Sequence, residues 1–119
     1  RCSYVINENI RVLGGCKDLE AGDYAAFGQK MFLSHEGLSR WYEVSCPELD
    51  FIVDIAHRTP GVLGARMMGG GFGGCVINLV EDGAHAPYLE EVTRLYREKF
   101  SIDPRIIDVV ISDGAKRLE

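Results

Sequence analysis

Residues 62–80 read VLGARMM, GGGFGG and CVINLV, which are two apolar runs joined by a segment in which five of six residues are glycine. The runs from Val62 to Met67 and from Cys75 to Val80 have the composition of strands. Glycine adopts positive φ freely and has no Cβ to obstruct a neighbour, so the segment between them predicts a turn. Two glycines suffice for a hairpin. The additional glycines favour a loop whose backbone lies close to phosphates or to another loop. An ordinary hairpin is the alternative.

Two nucleotide-binding motifs fail on context. Gly69, Gly71 and Gly74 match the pattern G-x-G-x-x-G, but a dinucleotide fold requires a helix directly after it. The residues that follow here, Cys75 to Val80, predict a strand. A P-loop is excluded because no Gly-Lys-Ser/Thr closes the run.

The segments on either side predict helices. Apolar residues recur with helical spacing from Tyr4 to Leu19, and a second helix follows Asp23 as its N-cap and kinks or stops near Gly37. Ser45 and Glu48 fit a capping box for a third helix. A fourth helix covers Pro87 to Phe100, and Arg105 to Ile111 predicts a last strand.

This order predicts an α+β fold. From residue 45 onward it is helix, strand, strand, helix, strand, which is a ferredoxin-like two-layer sandwich with an antiparallel sheet and without its first strand. We therefore expect a single domain over 1–119, with extra N-terminal helices over 1–44 and the core over 45–114.

Composition excludes several classes of protein. Eighteen acidic and thirteen basic residues give a net charge of −5, and no basic cluster precedes the terminal Lys116-Arg117, which disfavours nucleic-acid binding. No apolar run is long enough to span a membrane. The four cysteines lack the spacing of a zinc site and predict reduced, mostly buried thiols in a cytoplasmic protein: Cys2, Cys16, Cys46 and Cys75.

Few side chains suggest chemistry of their own. Arg66 is the basic residue of the glycine-rich stretch and would either support phosphate charge or, as favoured here, form a fixed ion pair. Asp54 and His57 predict a surface pair, and Trp41 and Tyr42 predict packing in the core or at an interface rather than sugar stacking. The aspartates lack paired spacing, so we expect neither a catalytic residue nor a metal ligand in this chain: Asp50, Asp54, Asp108 and Asp113.

Longer segments resemble a known family. Residues 64–75 (GARMMGGGFGGC) resemble the third signature motif of the GHMP small-molecule kinases, in the form found in galactokinases. Residues 43–50 (EVSCPELD) and 7–12 (NENIRV) resemble other galactokinase segments in the same order, and 112–115 (SDGA) resemble the C-terminal end. The resemblance covers nearly the whole chain, and its visible departure is Met68, where a small hydroxyl residue is more usual.

The resemblance implies a role in phosphorylating galactose at C1 with ATP and Mg²⁺. It covers only the C-terminal part of such enzymes, so the missing N-terminal domain would hold the catalytic residues, and this chain would be inactive alone and bind no cofactor. The loop that would shape the ATP and sugar sites comprises Gly69, Gly70, Gly71, Phe72, Gly73 and Gly74. We also expect Phe72 to be exposed. Another GHMP kinase domain and a freestanding ferredoxin-like module that binds a small anion remain alternatives.

Overall fold

The structure, a computed structural model, describes residues 1–114 and contains four α-helices and one β-hairpin. The elements in chain order are α1 (Cys2–Glu20), α2 (Tyr24–Glu36), a π-helical turn (Gly37–Trp41), α3 (Pro47–Arg58), β1 (Val62–Met68), β2 (Cys75–Val80), a 3₁₀ turn (Asp82–Ala84) and α4 (His85–Phe100). No helix among these residues is long and apolar enough to cross a membrane.

The hairpin places the glycine-rich loop at one end of the molecule. β1 and β2 are antiparallel, and the pair Met68 and Cys75 closes the ladder immediately before and after the loop. The register shifts between Val62 and Gly64, so one extra residue of β1 forms a bulge at the opposite end.

The core lies between the hairpin and the helices. α3 and α4 bury one apolar stripe each, and the 3.6-residue period of those stripes is the reason that both helices form there. The buried cluster comprises Phe32, Val53, Ile55, Ala56, Val62, Ala65, Tyr88 and Val92. The phenol of Tyr88 donates to Asn78 Oδ1 at 2.9 Å, which satisfies the one polar group of this buried side chain.

α2 lies along the edge of β1 that does not pair with β2. Two glycines let the backbones meet: a Cβ on Gly28 would fall 2.0 Å from the Leu63 carbonyl oxygen, and one on Gly64 would fall 2.5 Å from the Gly28 Cα. At the other end of the contact, the Met67 amide donates to His35 of α2. The helix therefore covers a strand edge that would otherwise expose unpaired backbone groups.

Most of the predicted elements are confirmed. The four helices and both hairpin strands form within a few residues of their predicted bounds. Asp23 caps α2, since its Oδ1 accepts from the Ala26 amide at 3.0 Å. The α-helix ends at Glu36 with Gly37 as its C-cap, as predicted, and a π-helical turn follows over Gly37–Trp41.

Three predictions are wrong. Residues 105–111 form no strand and pair with neither β1 nor β2, and Ile111 is 95% exposed. The capping box is absent because Cys46 occupies the N-cap of α3, with Pro47 as the first helical residue, and the Ser45 hydroxyl bonds Asp50 instead.

The thiols are free but not buried: Cys2, Cys16 and Cys75 are exposed and Cys46 is half-buried, because α1 and the loop end leave those positions uncovered.

The C-terminal motif lies only partly within the described residues. Ser112 to Gly114 carry no regular secondary structure, and Ala115 and the Lys116-Arg117 pair fall outside them. The division of the chain at residue 45 stays a prediction, now without its last strand.

Candidate functional site

The glycine-rich loop, residues 69–74, is fastened to the rest of the chain at one point. The Phe72 amide donates to the Val44 carbonyl oxygen at 2.7 Å. Gly71 has a φ of +89° and approaches the same carbonyl so closely that a Cβ would lie 2.2 Å from its oxygen. Any side chain at this position would be strained and would push the loop from Val44.

The outer side of the loop is open. A Cβ built on Gly69, Gly70 or Gly73 meets no atom within 4 Å, although Gly69 and Gly73 need positive φ. Phe72 itself has a φ of +59° and is 77% exposed, which confirms that its side chain does not fill its own core. A left-handed aromatic residue held out into solvent is costly, and such strain is concentrated where a chain meets a ligand or partner.

A buried histidine contacts the end of β1 that leads into the loop. His35 is 5% exposed, and its Nδ1 accepts from the Met67 amide at 3.1 Å. Its Nε2 lies 2.9 Å from Asp50 Oδ1. Asp50 also accepts from the Ser45 hydroxyl at 2.6 Å on Oδ1 and from the Ser39 hydroxyl at 3.0 Å on Oδ2.

These partners assign the protonation of His35. Nδ1 accepts an amide proton and so carries a lone pair, which leaves Nε2 as the nitrogen that bears the proton and donates to Asp50. Burial lowers the pKa of His35 below its ordinary value, while Asp50 and Asp54 on α3 oppose that shift and Arg66 on β1 adds to it. The ring is neutral in this arrangement.

Arg66 of β1 pairs with a carboxylate of α1. Its Nη1 lies 3.6 Å from Glu8 Oε1, and its Nε donates to the Met67 carbonyl at 3.1 Å. Glu8 also accepts from the Ser34 hydroxyl at 2.6 Å and pairs with Arg11. The geometry is that of the fixed ion pair favoured by the sequence, and support of phosphate charge by Arg66 stays a prediction.

The remaining candidates are scattered. Trp41 is 68% exposed, so it does not pack in this chain's core, whereas Tyr42 packs on Tyr4 with ring centroids 5.4 Å apart. Asp54 and His57 are both exposed, as predicted, but within residues 1–114 they form no ion pair, and the His57 ring packs edge-on against Phe32. Within residues 1–114 no three histidine, cysteine or carboxylate side chains gather as a metal site would require.

Sequence reasoning missed His35, Asp50 and Val44 as residues of the loop's support. His35 and Met67 are 32 residues apart, and His35 and Asp50 are 15 apart. No local spacing signals such contacts. The one available signal was that Val44 and Asp50 lie within the segment 43–50 that resembles a galactokinase segment.

Comparisons with known proteins agree on one family. The sequence profile described as "GHMP kinases C terminal" matches residues 17–96. The chain is 46% identical over 118 residues to a galactokinase of Thermotoga maritima, covering 99% of this chain and 34% of that protein. It is 42% identical over 118 residues to a galactokinase of Canis lupus familiaris, covering 99% of this chain and 29% of that protein.

A solved structure has the same fold. The crystal structure of Lactococcus lactis galactokinase complexed with galactose matches with a TM-score of 0.76 and 38% identity, over 80% of this chain and 24% of that one. The chain thus spans about a third of the length of the relatives that it matches.

Proposed function

The chain belongs to the family of GHMP kinase C-terminal domains, and we propose that it is the C-terminal part of a galactokinase, which transfers a phosphoryl group from ATP to galactose. The observation that carries this proposal is the 46% identity to a galactokinase over 99% of the chain. The structural match to a galactokinase that was crystallised with galactose supports the same sugar as substrate. Phosphorylation at C1 and a cytoplasmic location are parts of the proposal that come from the family resemblance alone.

In this proposal the loop 69–74 positions reactants and does no covalent chemistry. Phosphoryl transfer depends mainly on placing the donor and acceptor and on neutralising charge. The open outer side of the loop fits this role, since phosphates or a neighbouring loop could approach the backbone at Gly69, Gly70 and Gly73 without meeting a side chain.

The residues present fit part of an ATP site. Gly69, Gly70 and Gly73 leave space that phosphate oxygens could occupy, whereas Arg66, the nearest basic side chain in sequence, is held by Glu8. ATP would bring the phosphoryl group, and Mg²⁺ would neutralise phosphate charge, through ligands that the N-terminal domain would provide. That domain would also supply the catalytic residues, so we expect this chain to bind neither cofactor by itself.

The two alternatives predict different properties. Another GHMP kinase would share this fold but phosphorylate a different alcohol, and the galactokinase matches disfavour it. A freestanding anion-binding module would bury Phe72 as a hairpin plug, yet this side chain is 77% exposed.

A chimera tests the proposal. In the galactokinase of Thermotoga maritima, the matched C-terminal third is replaced by this chain, and ATP-dependent phosphorylation of galactose is followed in a coupled assay. We expect the chimera to turn over galactose, and we expect this chain alone, and the enzyme truncated before the exchanged third, to give background rates. A chimera that is folded, as judged by circular dichroism and a cooperative thermal transition, but inactive on galactose would contradict the proposal, as would turnover by the chain alone.

A further inference from the structure

Two hydrogen-bond paths run from the glycine-rich loop to one carboxylate. On the strand side, Met67 lies two residues before the loop. Its amide donates to His35, and His35 in turn bonds to Asp50. On the far side, the Phe72 amide is held by the Val44 carbonyl. The next residue, Ser45, donates to the same Asp50 oxygen.

We propose that Asp50 is a positioning residue that holds the glycine-rich loop from both sides, through His35 at its entry and through Ser45 and Val44 at its middle. α3 carries Asp50 in its first turn, and the helix is packed into the core by Leu49 and Val53, which are 3% and 6% exposed. The carboxylate therefore stands on a rigid element, while its two paths reach a loop of which five of the six residues are glycine. Rigid support of this kind is what a precise site requires.

The chemistry of the network suits a support rather than a catalyst. Asp50 accepts three hydrogen bonds and touches no group of the loop's open side. His35 is buried, with one ring nitrogen fixed by Met67 and the other by Asp50, so neither nitrogen is available to a substrate. Hydrogen bonds to a charged carboxylate are stronger than those between neutral groups, so each path holds the loop in a fixed position relative to α3.

The chain offers a matched pair of variants. Ser45 and Ser39 both donate a hydroxyl proton to Asp50, but only Ser45 adjoins the residue that holds Phe72. Replacement of either by alanine removes one hydrogen bond to the same carboxylate. Ser39 is one step further from the loop, because its neighbour Leu38 accepts from the Val44 amide at 3.0 Å. A larger effect of the Ser45 variant at the loop therefore separates the direct path from general loosening of Asp50.

Amide hydrogen exchange of the 119-residue chain, read by NMR, tests the proposal. We expect Ser45→Ala to accelerate exchange of the Phe72 amide roughly tenfold and Ser39→Ala to change it less than about twofold, since loss of a bond to a charged group opens its path locally. Asp50→Ala should accelerate both the Phe72 and the Met67 amides. Asp50→Asn should largely restore both, because its carbonyl oxygen can still accept from His35 and Ser45. The amides of Ile55 and Val92 lie in the core and report how far each variant lowers global stability, and the changes at Phe72 and Met67 are compared with theirs.

The outcomes separate this inference from the proposed function. The positioning role would be overturned if Ser45→Ala and Ser39→Ala had equal effects on exchange at Phe72. It would also be overturned if Phe72 and Met67 exchange were unchanged in Asp50→Ala. If Asp50→Ala does not fold, the two serine variants decide alone. The further expectation, that Ser45→Ala slows the chimera, rests on the proposed function. An inactive chimera with the original residues would refute that function while leaving the exchange result intact.

Discussion

Replacing Gly71 with valine in the chimera is expected to lower kcat/KM for galactose phosphorylation at least ~10²-fold, a loss of about 2.7 kcal/mol of transition-state stabilisation. Gly71 has a φ of +89°, which a β-branched residue does not tolerate, and its Cβ would lie 2.2 Å from the Val44 carbonyl oxygen. The valine would therefore break the contact that fastens the loop. The measurement is steady-state kinetics with galactose and ATP varied in turn.

A second position in the same loop serves as the control for strain. Gly74→Ala also places a side chain at positive φ, with φ +103°, but its Cβ meets only the Met68 carbonyl, at 3.9 Å. The Gly74 variant should be impaired less than the Gly71 variant. If Gly71→Val keeps near-normal kinetics, the fastening of the loop to Val44 has no part in activity.

Replacing Gly28 with alanine is expected to lower the free energy of unfolding of the chain by about 1–3 kcal/mol, the usual cost of overpacking a core. The added Cβ would lie 2.0 Å from the Leu63 carbonyl oxygen, and neither α2 nor the bulged strand can withdraw without losing the Met67 to His35 hydrogen bond. Denaturation by urea, followed by circular dichroism, measures the change.

Gly14→Ala is the matched control within a helix. Its Cβ would meet only the flexible end of Lys30, whose Cε lies 2.9 Å away, and alanine favours a helix more than glycine does, by up to about 1 kcal/mol. We expect little change or a small gain in stability. Equal stability of the Gly28 and Gly14 variants would show that α2 can move off the strand and that the close approach is not required.

The sequence was sufficient for the local elements because their signals are local. The helical period of apolar residues, the Asp23 cap and the two apolar runs around the glycines each act within a few residues, and all of them form as predicted. Resemblance to a kinase motif then identified the loop. The family and the galactokinase relatives are confirmed by the comparisons, whereas the roles of the individual loop glycines stay predictions.

What the sequence could not supply is the contact between distant segments. Gly28 meets Gly64, and His35 meets Met67, because α2 happens to lie along the edge of β1, and no spacing in the chain encodes that approach. The error at 105–111 has a related cause. An apolar run forms a strand only if the fold brings it beside another strand, and within residues 1–114 the sheet consists of β1 and β2 alone.

The misassigned cap has a related cause. Ser45 and Glu48 have the spacing of a capping box, but that motif competes with longer-range partners. Here the Ser45 hydroxyl finds the carboxylate of Asp50 at 2.6 Å, and the helix begins after Cys46 instead. The hydroxyl that would have capped a helix is thereby part of the loop's support.

The central claim is that the open side of the loop 69–74 faces phosphates or a neighbouring loop in the complete enzyme, and Gly70→Ala tests it most directly. Gly70 does not need positive φ, and its Cβ would meet nothing within 4 Å in this chain, so the variant should unfold at the same temperature as the original. In the chimera we expect kcat/KM for ATP to fall at least ~10-fold, equivalent to about 1.4 kcal/mol, because the methyl group would occupy space that the assembled site uses. Unchanged kinetics in a variant of unchanged stability would contradict the claim and leave the glycines with the hairpin alone.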